Sequence, residues 1–580
     1  MTQSEKGPHP VPLDLWCIPS ALVNTLLSKS EGKCNEDDGG EEDPTDGDEE
    51  LSATLKMFKG STVGPEEIFY MNTLFDEIYS SWLPFKFPRN PSPLLSSLRY
   101  LLASRHAGML MRTPRTEFIH NFVFREIVKL MYLPKEERET LENIRSAYIL
   151  SWWMPSVLNE EGSGLGNENL FRELVKGYLT NHSLSTVENE GGERMRLQYA
   201  MHINEGFHAI LGGKLPDTSP LANLETDLPP ITSTDCRPSD SRLIFQSRLL
   251  FIVERGIASI ANEPFDLSVG GFDGLCQKVD KSMAEFDLWN RVFSRNTAVD
   301  DPRQAPYHAT VLIQQLFCRL SVMTSAFIVL REVSRRFSVG TSDGSVPPSD
   351  TELIVFYKKS VHHIAMGMLN NLEGIVISAA GSSIPARILG SAPDELLIMI
   401  MFATALLIKY YHMCLEWKLY KGEHFRDTSR LLELLIRKLA DTSLAEGDLA
   451  SRFCNLCKGF FKVWQEKAHA KLGIANSDPS GSPSTSTGQA QAQATTANSE
   501  SSSTPSANFL PTPTSSALVE PPNGNFPSLD HSFLSNDKYS TLLSANWTAN
   551  NAELSWNEAL GEVLGAGFFD LNNFDVPGTF

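Results

Sequence analysis

The sequence predicts an all-α protein: a large irregular helical domain over residues 61–472, with disordered segments on either side. Three observations predict it. From about residue 65 to about residue 470, apolar side chains recur three and four positions apart, the spacing of one helical face, while period-two alternation is scarce. Prolines sit where these stretches start and stop, as at Pro65, Pro84 and Pro155. The composition changes at both borders, to acids and glycine before the domain and to Ser, Thr, Gln, Pro and Ala after it.

Residues 1–60 contain the run Glu36–Glu50, EDDGGEEDPTDGDEE. It has nothing to bury and reads as a disordered spacer, or as an acidic activation or autoinhibitory segment. At Pro65 a helix begins: proline at the first position, then Glu66 and Glu67 favoured by the positive end of the helix dipole. Ile68, Met71, Phe75, Ile78 and Trp82 form its apolar face, and Pro84 and Pro88 stop it. Phe118, Phe122, Ile127 and Met131 mark a second helix. Leu141, Ile144, Tyr148 and Trp152 mark a third, ending at Pro155, and Leu170, Phe171, Leu174, Val175 and Tyr178 a fourth. Further helices are predicted over Arg242–Ile260, Thr310–Arg335, Thr351–Leu372, Pro393–Met413, Thr428–Leu439 and Asp448–Ala470. Pro216–Ser241 and Ser338–Asp350, rich in Pro, Ser, Asp and Thr, read as surface loops. Val311–Leu330 and Leu396–Ile408 are apolar on most faces and belong inside a bundle. The second of these is shorter than the ~18–20 residues that span a bilayer, and Lys409 closes it, so no membrane is implied. Residues 473–545 read as a disordered linker. In residues 546–580 aromatic and apolar side chains alternate with acids, a composition suited to folding on a partner.

Charge and cysteine content narrow the function. The 580 residues carry 50 Lys+Arg against 70 Asp+Glu, a net charge of −20, which is a poor match for a polyphosphate and leaves room only for a local basic patch. The basic groups at Arg331, Arg335, Arg336, Lys358 and Lys359 are too small for a nucleic-acid surface and read as solvated helix faces. The eight cysteines are too sparse for a secreted disulfide scaffold, and the N-terminus lacks a basic, then apolar, leader. A soluble intracellular chain with reduced thiols is expected.

No catalytic set emerges. Cys454 and Cys457 are the only close cysteine pair; without two further ligands they make no zinc site, and their helical spacing with Phe453, Phe461 and Trp464 points into the core. Gly340, Ser342 and Gly344 match a nucleophile-elbow pattern in a loop context that does not suit it. Gly212-Gly213-Lys214 lacks the upstream glycine and the following Ser or Thr of a phosphate loop, and Gly162–Gly166 has no preceding strand. His362 and His363 diverge on a helix, and His202 and His208 read as helix-surface residues. No residue is assigned a catalytic, metal-binding or cofactor-binding role.

Four stretches together resemble the fungal binuclear zinc-cluster transcription factors. Leu74–Phe85, LFDEIYSSWLPF, resembles the opening of that family's all-α middle homology region. Arg194–Tyr199 through Phe207–Pro216 is similar to its internal helix, although Asn204-Glu205 stands where the family often has an acid–arginine pair. Asp394–Lys409 is similar to the late buried helix of a subgroup regulating leucine biosynthesis, weak-acid stress and secreted proteases. Phe568–Asp570 through Val576–Gly578 looks like that subgroup's C-terminal end. The family's six-cysteine DNA-binding cluster does not occur in the sequence; zinc is expected only if such a cluster belongs to a missing N-terminal segment.

The resemblance implies a nuclear transcriptional regulator acting with RNA polymerase II. It implies a regulatory helical domain over 61–472 and an activation segment carried by Phe568, Phe569, Asp570, Leu571 and Phe574. Its expected partners are transcription coactivators, a second copy of the chain and a small-molecule effector in a cavity between Val311–Leu330 and Leu396–Ile408. DNA is reached only through a missing or partner module. A helical scaffold or adaptor, and an enzyme with a lipid-like pocket, are the rival readings.

Overall fold

A computed structural model describes residues 65–88, 91–107, 114–133, 140–157, 191–229, 237–261, 265–297, 304–339, 351–416, 422–443 and 449–472. Helices take up 87% of the interpretable part, and the described residues contain no strand, so the domain is all-α. The terminal segments 1–60 and 473–580, expected to be disordered, lie outside the described residues, as does the helix predicted around Leu170–Tyr178.

Fourteen helices are described: α1 Pro65–Ile78, α2 Pro93–Ser104, α3 Pro114–Tyr132, α4 Leu141–Val157, α5 Gly191–Leu211, α6 Leu224–Asp227, α7 Pro238–Ala261, α8 Val269–Thr297, α9 Ala305–Val339, α10 Thr351–Ala380, α11 Ala386–Gly390, α12 Asp394–Glu416, α13 Gly422–Thr442 and α14 Leu449–Leu472. The long pair α9 and α10 forms the spine. On one side α9 packs on α7 and α8; on the other, α10 packs on α12 and α13. The N-terminal helices chain together as α1 on α2, α2 on α4, α4 on α5 and α5 on α7. α12 ties the two ends together, touching α4 and α5 as well as α9, α10 and α14. Trp152, Trp153, Phe317, Phe402 and Trp464 are all buried in this core.

Local chemistry sets the helix ends. α2 starts on Pro93, with Ser92 Oγ accepting the Leu95 N–H at 3.3 Å. α5 ends in a Schellman turn: Lys214 N–H donates to Ala209 O (2.7 Å) and Gly213 N–H to Ile210 O (3.0 Å), with Gly213 at φ 67°. The Gly-Gly-Lys sequence is therefore a helix stop. Gly206 lets α5 approach α7, because a Cβ there would lie 2.6 Å from Leu250 Cδ1. In α4, Pro155 has no N–H for the carbonyl of Ser151, and the helix kinks at Trp153 (φ −129°, ψ 24°). Asn204 of α5 fills the gap, donating Nδ2 to Ser151 O at 3.2 Å.

Several expectations change. α1 stops at Ile78, and Trp82 enters the core from the turn that follows. α8, unpredicted, carries a stripe of buried residues at Phe272, Leu275, Val279, Met283, Phe286, Trp289 and Phe293. α2 was also unpredicted. Pro216–Ser241 is no plain surface loop: Leu221, Leu224 and Leu228 are buried, and Asp240 opens α7 with no exposed surface. Lys409 does not end its helix but is itself buried in α12. The long apolar stretch 305–333 of α9 could cross a membrane by length and composition alone; in this fold it is the core helix of the spine.

Candidate functional site

The sequence-predicted activation residues Phe568, Phe569, Asp570, Leu571 and Phe574 lie outside the described residues. Within the described domain, segments far apart in sequence meet at a buried polar knot.

Its base is the turn after α1. Side chains from two other helices hydrogen-bond main-chain carbonyls of this turn and of Ile78, the last residue of α1. Arg242 of α7 donates Nη1 to Ser81 O (2.6 Å) and Nη2 to Trp82 O (2.7 Å), and Tyr307 of α9 donates its hydroxyl to Ile78 O (3.2 Å). Arg242 is buried, and desolvation lowers its pKa while Tyr148 and Tyr307 oppose the shift. The two carbonyl dipoles that Arg242 meets compensate this charge. Burial likewise pushes the Tyr148 hydroxyl well above its ordinary range.

Ser391, between α11 and α12, is the node of the knot. Trp82 donates Nε1 to its Oγ (3.0 Å), Trp153 donates Nε1 to its carbonyl (2.9 Å), and its own hydroxyl donates to Ile388 O (2.9 Å). Four residues on, Glu395 Oε1 lies 2.8 Å from His208 Nε2, with both side chains nearly buried. His208 is thus part of the interior, not of a helix surface. On the outer side, Arg196 holds the buried Asp240 through Nε–Oδ1 (2.7 Å) and Nη2–Oδ2 (3.1 Å), the paired geometry of a guanidinium on a carboxylate. Arg145 joins α4 to α5 through Glu193 at 2.5 Å.

At the edge of the knot, Tyr79 packs edge-on against Trp153 and hydrogen-bonds His106 Nε2 at 3.0 Å. Desolvation, then the charges of Arg105 and Arg387, push the His106 pKa down to about 3, so its imidazole is neutral at physiological pH.

The carboxy-terminal part of the core contrasts with this. Cys454 and Cys457 are buried on α14, and Cys457 Sγ sits 3.6 Å from Met401 Sδ with its thiol pushed up to about 12 by burial. They pack as core residues. Glu373 is a buried carboxyl group here: it accepts the Tyr411 hydroxyl at 2.8 Å, and burial raises its pKa. His363 reaches Asp280 at 2.8 Å on the surface, apart from the half-buried His362. Lys359 lies over the Phe356 ring at 5.3 Å. Among the described residues no group of three His, Cys, Asp or Glu side chains could hold a metal. The glycine motifs at 162–166 and 340–344 lie outside the described residues.

Arg242, Tyr307 and Ser391 were not singled out from sequence. The available signal for Arg242 was its position immediately before the run Leu243 to Val253, in a helix that buries most of its residues. No protein-family model, curated protein or solved structure matches the chain.

Proposed function

We propose that the chain is a fungal-type transcriptional regulator of the zinc-cluster kind, with the helical domain as its regulatory body and residues 546–580 as its activation segment. One observation supports this most. Three of the four stretches that carry the resemblance meet at the polar knot: Trp82 from the first, His208 from the second and Glu395 from the third. Sequence pieces that share a family likeness and also share a structural junction act as one unit. On this reading the protein works in the nucleus and recruits coactivators through Phe568, Phe569, Asp570, Leu571 and Phe574. It reaches promoters through a DNA-binding module outside this sequence or on a partner.

Fusion of residues 547–580 to an unrelated DNA-binding domain tests the reading. The fusion should drive a reporter, and replacing Phe568, Phe569 and Phe574 by Ala should erase the signal, because each buried phenylalanine contributes roughly 1.5–3 kcal/mol to a docked segment. A silent fusion, or a triple variant that lowers the melting temperature of the helical domain in the full chain, would replace the activator with a structural strap and favour the scaffold reading.

A further inference from the structure

α8 uses its charges unevenly. Its acids reach across to other helices: Asp280 to His363 of α10 at 2.8 Å, Glu285 to Arg255 of α7 at 2.7 Å and Asp287 to Arg319 of α9 at 2.6 Å. Its cations Lys281, Arg291 and Arg295 are exposed and, among the described residues, have no ion pair or hydrogen bond. These three share one face. Gln277, Lys281, Ala284, Leu288, Arg291 and Arg295 follow one another at alternating steps of four and three residues, so they form a single seam down the helix. All six are exposed, Leu288 by 56%, and no acid lies in the seam. From Lys281 to Arg295 it runs about 21 Å. The other side of α8 is buried against α7, α9 and α10.

We propose that this seam docks the acidic run Glu36–Glu50 of the same chain. The run holds ten acids and no Lys or Arg in fifteen residues. An extended chain at ~3.3 Å per residue needs about six or seven of them to cover the seam. The seam offers cations that its own helix leaves unanswered, and the run offers acids that no neighbouring cation in the sequence answers. The contact is exposed and electrostatic, hence salt-sensitive and readily released.

Reach agrees with charge. Tyr307 hydrogen-bonds Ile78 O at the end of α1, and its neighbour His308 packs edge-on against Phe293 of α8, ring centroids 5.8 Å apart. The carboxy-terminal half of α8 therefore lies about one layer of side chains from the end of α1. α1, with 14 residues, is about 21 Å long, and the fourteen residues 51–64 before it extend to about 46 Å. The acids of 553–575 are the weaker candidate. They number five in twenty-three residues, and eighty residues separate them from Leu472, which lowers their effective concentration at any face of the domain. The proposal stands independently of the transcriptional reading, because the contact is measured on the purified chain alone.

Zero-length carbodiimide cross-linking of the full chain, read by peptide mass spectrometry, tests it, because the reagent joins an amine only to a carboxylate in contact with it. At about 0.1 M NaCl, acids of Glu36–Glu50 should couple to Lys281 in preference to Lys458 and Lys462, two exposed lysines of α14. In a mixture of isotope-labelled and unlabelled protein the coupled pair should lie within one chain. At about 1 M NaCl the screening length falls from ~10 to ~3 Å, and the product should drop severalfold. Arg291→Gln combined with Arg295→Gln should lower it about threefold or more. That variant should melt within about 2 °C of the wild type, since both side chains are exposed and unpaired. The proposal is overturned if the run couples equally to Lys281, Lys458 and Lys462, or if the double variant keeps the wild-type yield. It also falls if Lys281 couples instead to the acids of 553–575 or to a second copy of the chain.

Discussion

The two ends of the helical domain are held by different physics. Around Ser391 the contacts are directional: two indole N–H groups and a tyrosine hydroxyl each meet one named acceptor, and a guanidinium meets two. Around Trp464 the contacts are apolar and redundant, with Phe425, Phe461 and Tyr411 grouped about one indole and Cys457 against Met401. Directional contacts fix one arrangement and fail when a single donor is lost. Redundant apolar contacts tolerate exchange of shape but not the arrival of charge. The N-terminal knot should therefore be the specific part of the domain and the carboxy-terminal core the forgiving part.

The harshest test of this contrast falls on the forgiving side. Phe402→Asp puts a carboxylate where Phe402 now meets Phe317 at 6.0 Å, both rings buried. The cost is several kcal/mol, and the variant should lose its cooperative melt by circular dichroism; a melt like that of the wild type would refute the packing. Next comes Trp153. Trp153→Ala should cost about 3–5 kcal/mol, whereas Trp153→Phe, which loses the bond to Ser391 and keeps most of the volume, should cost about 1–2 kcal/mol in urea unfolding. Equal costs for the two would mean that the knot is merely apolar. Asn204→Ala should cost about 1–3 kcal/mol, because Ser151 O is freed by Pro155 and would be left without its donor.

Acid should act on the two regions with opposite signs. His106 has its pKa lowered from 6.5 to about 3. Below pH 6.5 the unfolded chain takes up a proton that the folded chain refuses, so this group's contribution to stability declines as pH falls toward 3, by at most about 1.4 kcal/mol per pH unit. His106→Asn should remove that share of the acid slope in urea melts between pH 4 and 7; an unchanged slope would place the imidazole in water. Glu373 has its pKa raised by burial. The folded chain holds that proton more tightly, so its contribution is full below pH 4.5 and is lost as pH rises through the folded pKa. Glu373→Gln keeps an acceptor for Tyr411, and it should melt higher than the wild type at neutral pH and level with it at pH 4. A lower melting point at neutral pH would show that the ionised carboxylate is needed.

The contrast also explains how much could be read in advance. The apolar helices were legible because burial on a spiral leaves a period in the sequence, as Ile364, Leu372, Ile375 and Val376 do on α10. α8 carries the same signal from Phe272 to Phe293, but Gly270, Gly271 and Gly274 in its first turns suggest a loop. Leu221, Leu224 and Leu228, also three and four apart, were hidden by polar neighbours. The polar knot was not legible. Its acceptors are main-chain carbonyls, which every residue has, and nothing near Arg242 says that the turn at Ser81 and Trp82 will lie beneath it. His208 was legible as a histidine but not as the partner of Glu395, because the pair is made by α5 meeting α12.

Ser391 also sets the order of events during synthesis. Trp82 and Ser391 are 309 residues apart in the chain. At roughly 5–20 residues per second, the indole leaves the ribosome about 15–60 s before its acceptor exists. Through that interval the Trp82 indole has no Ser391 to donate to. The N-terminal half of this domain is thus completed at this node only when the segment joining α11 and α12 emerges, with α13 and α14 still to follow.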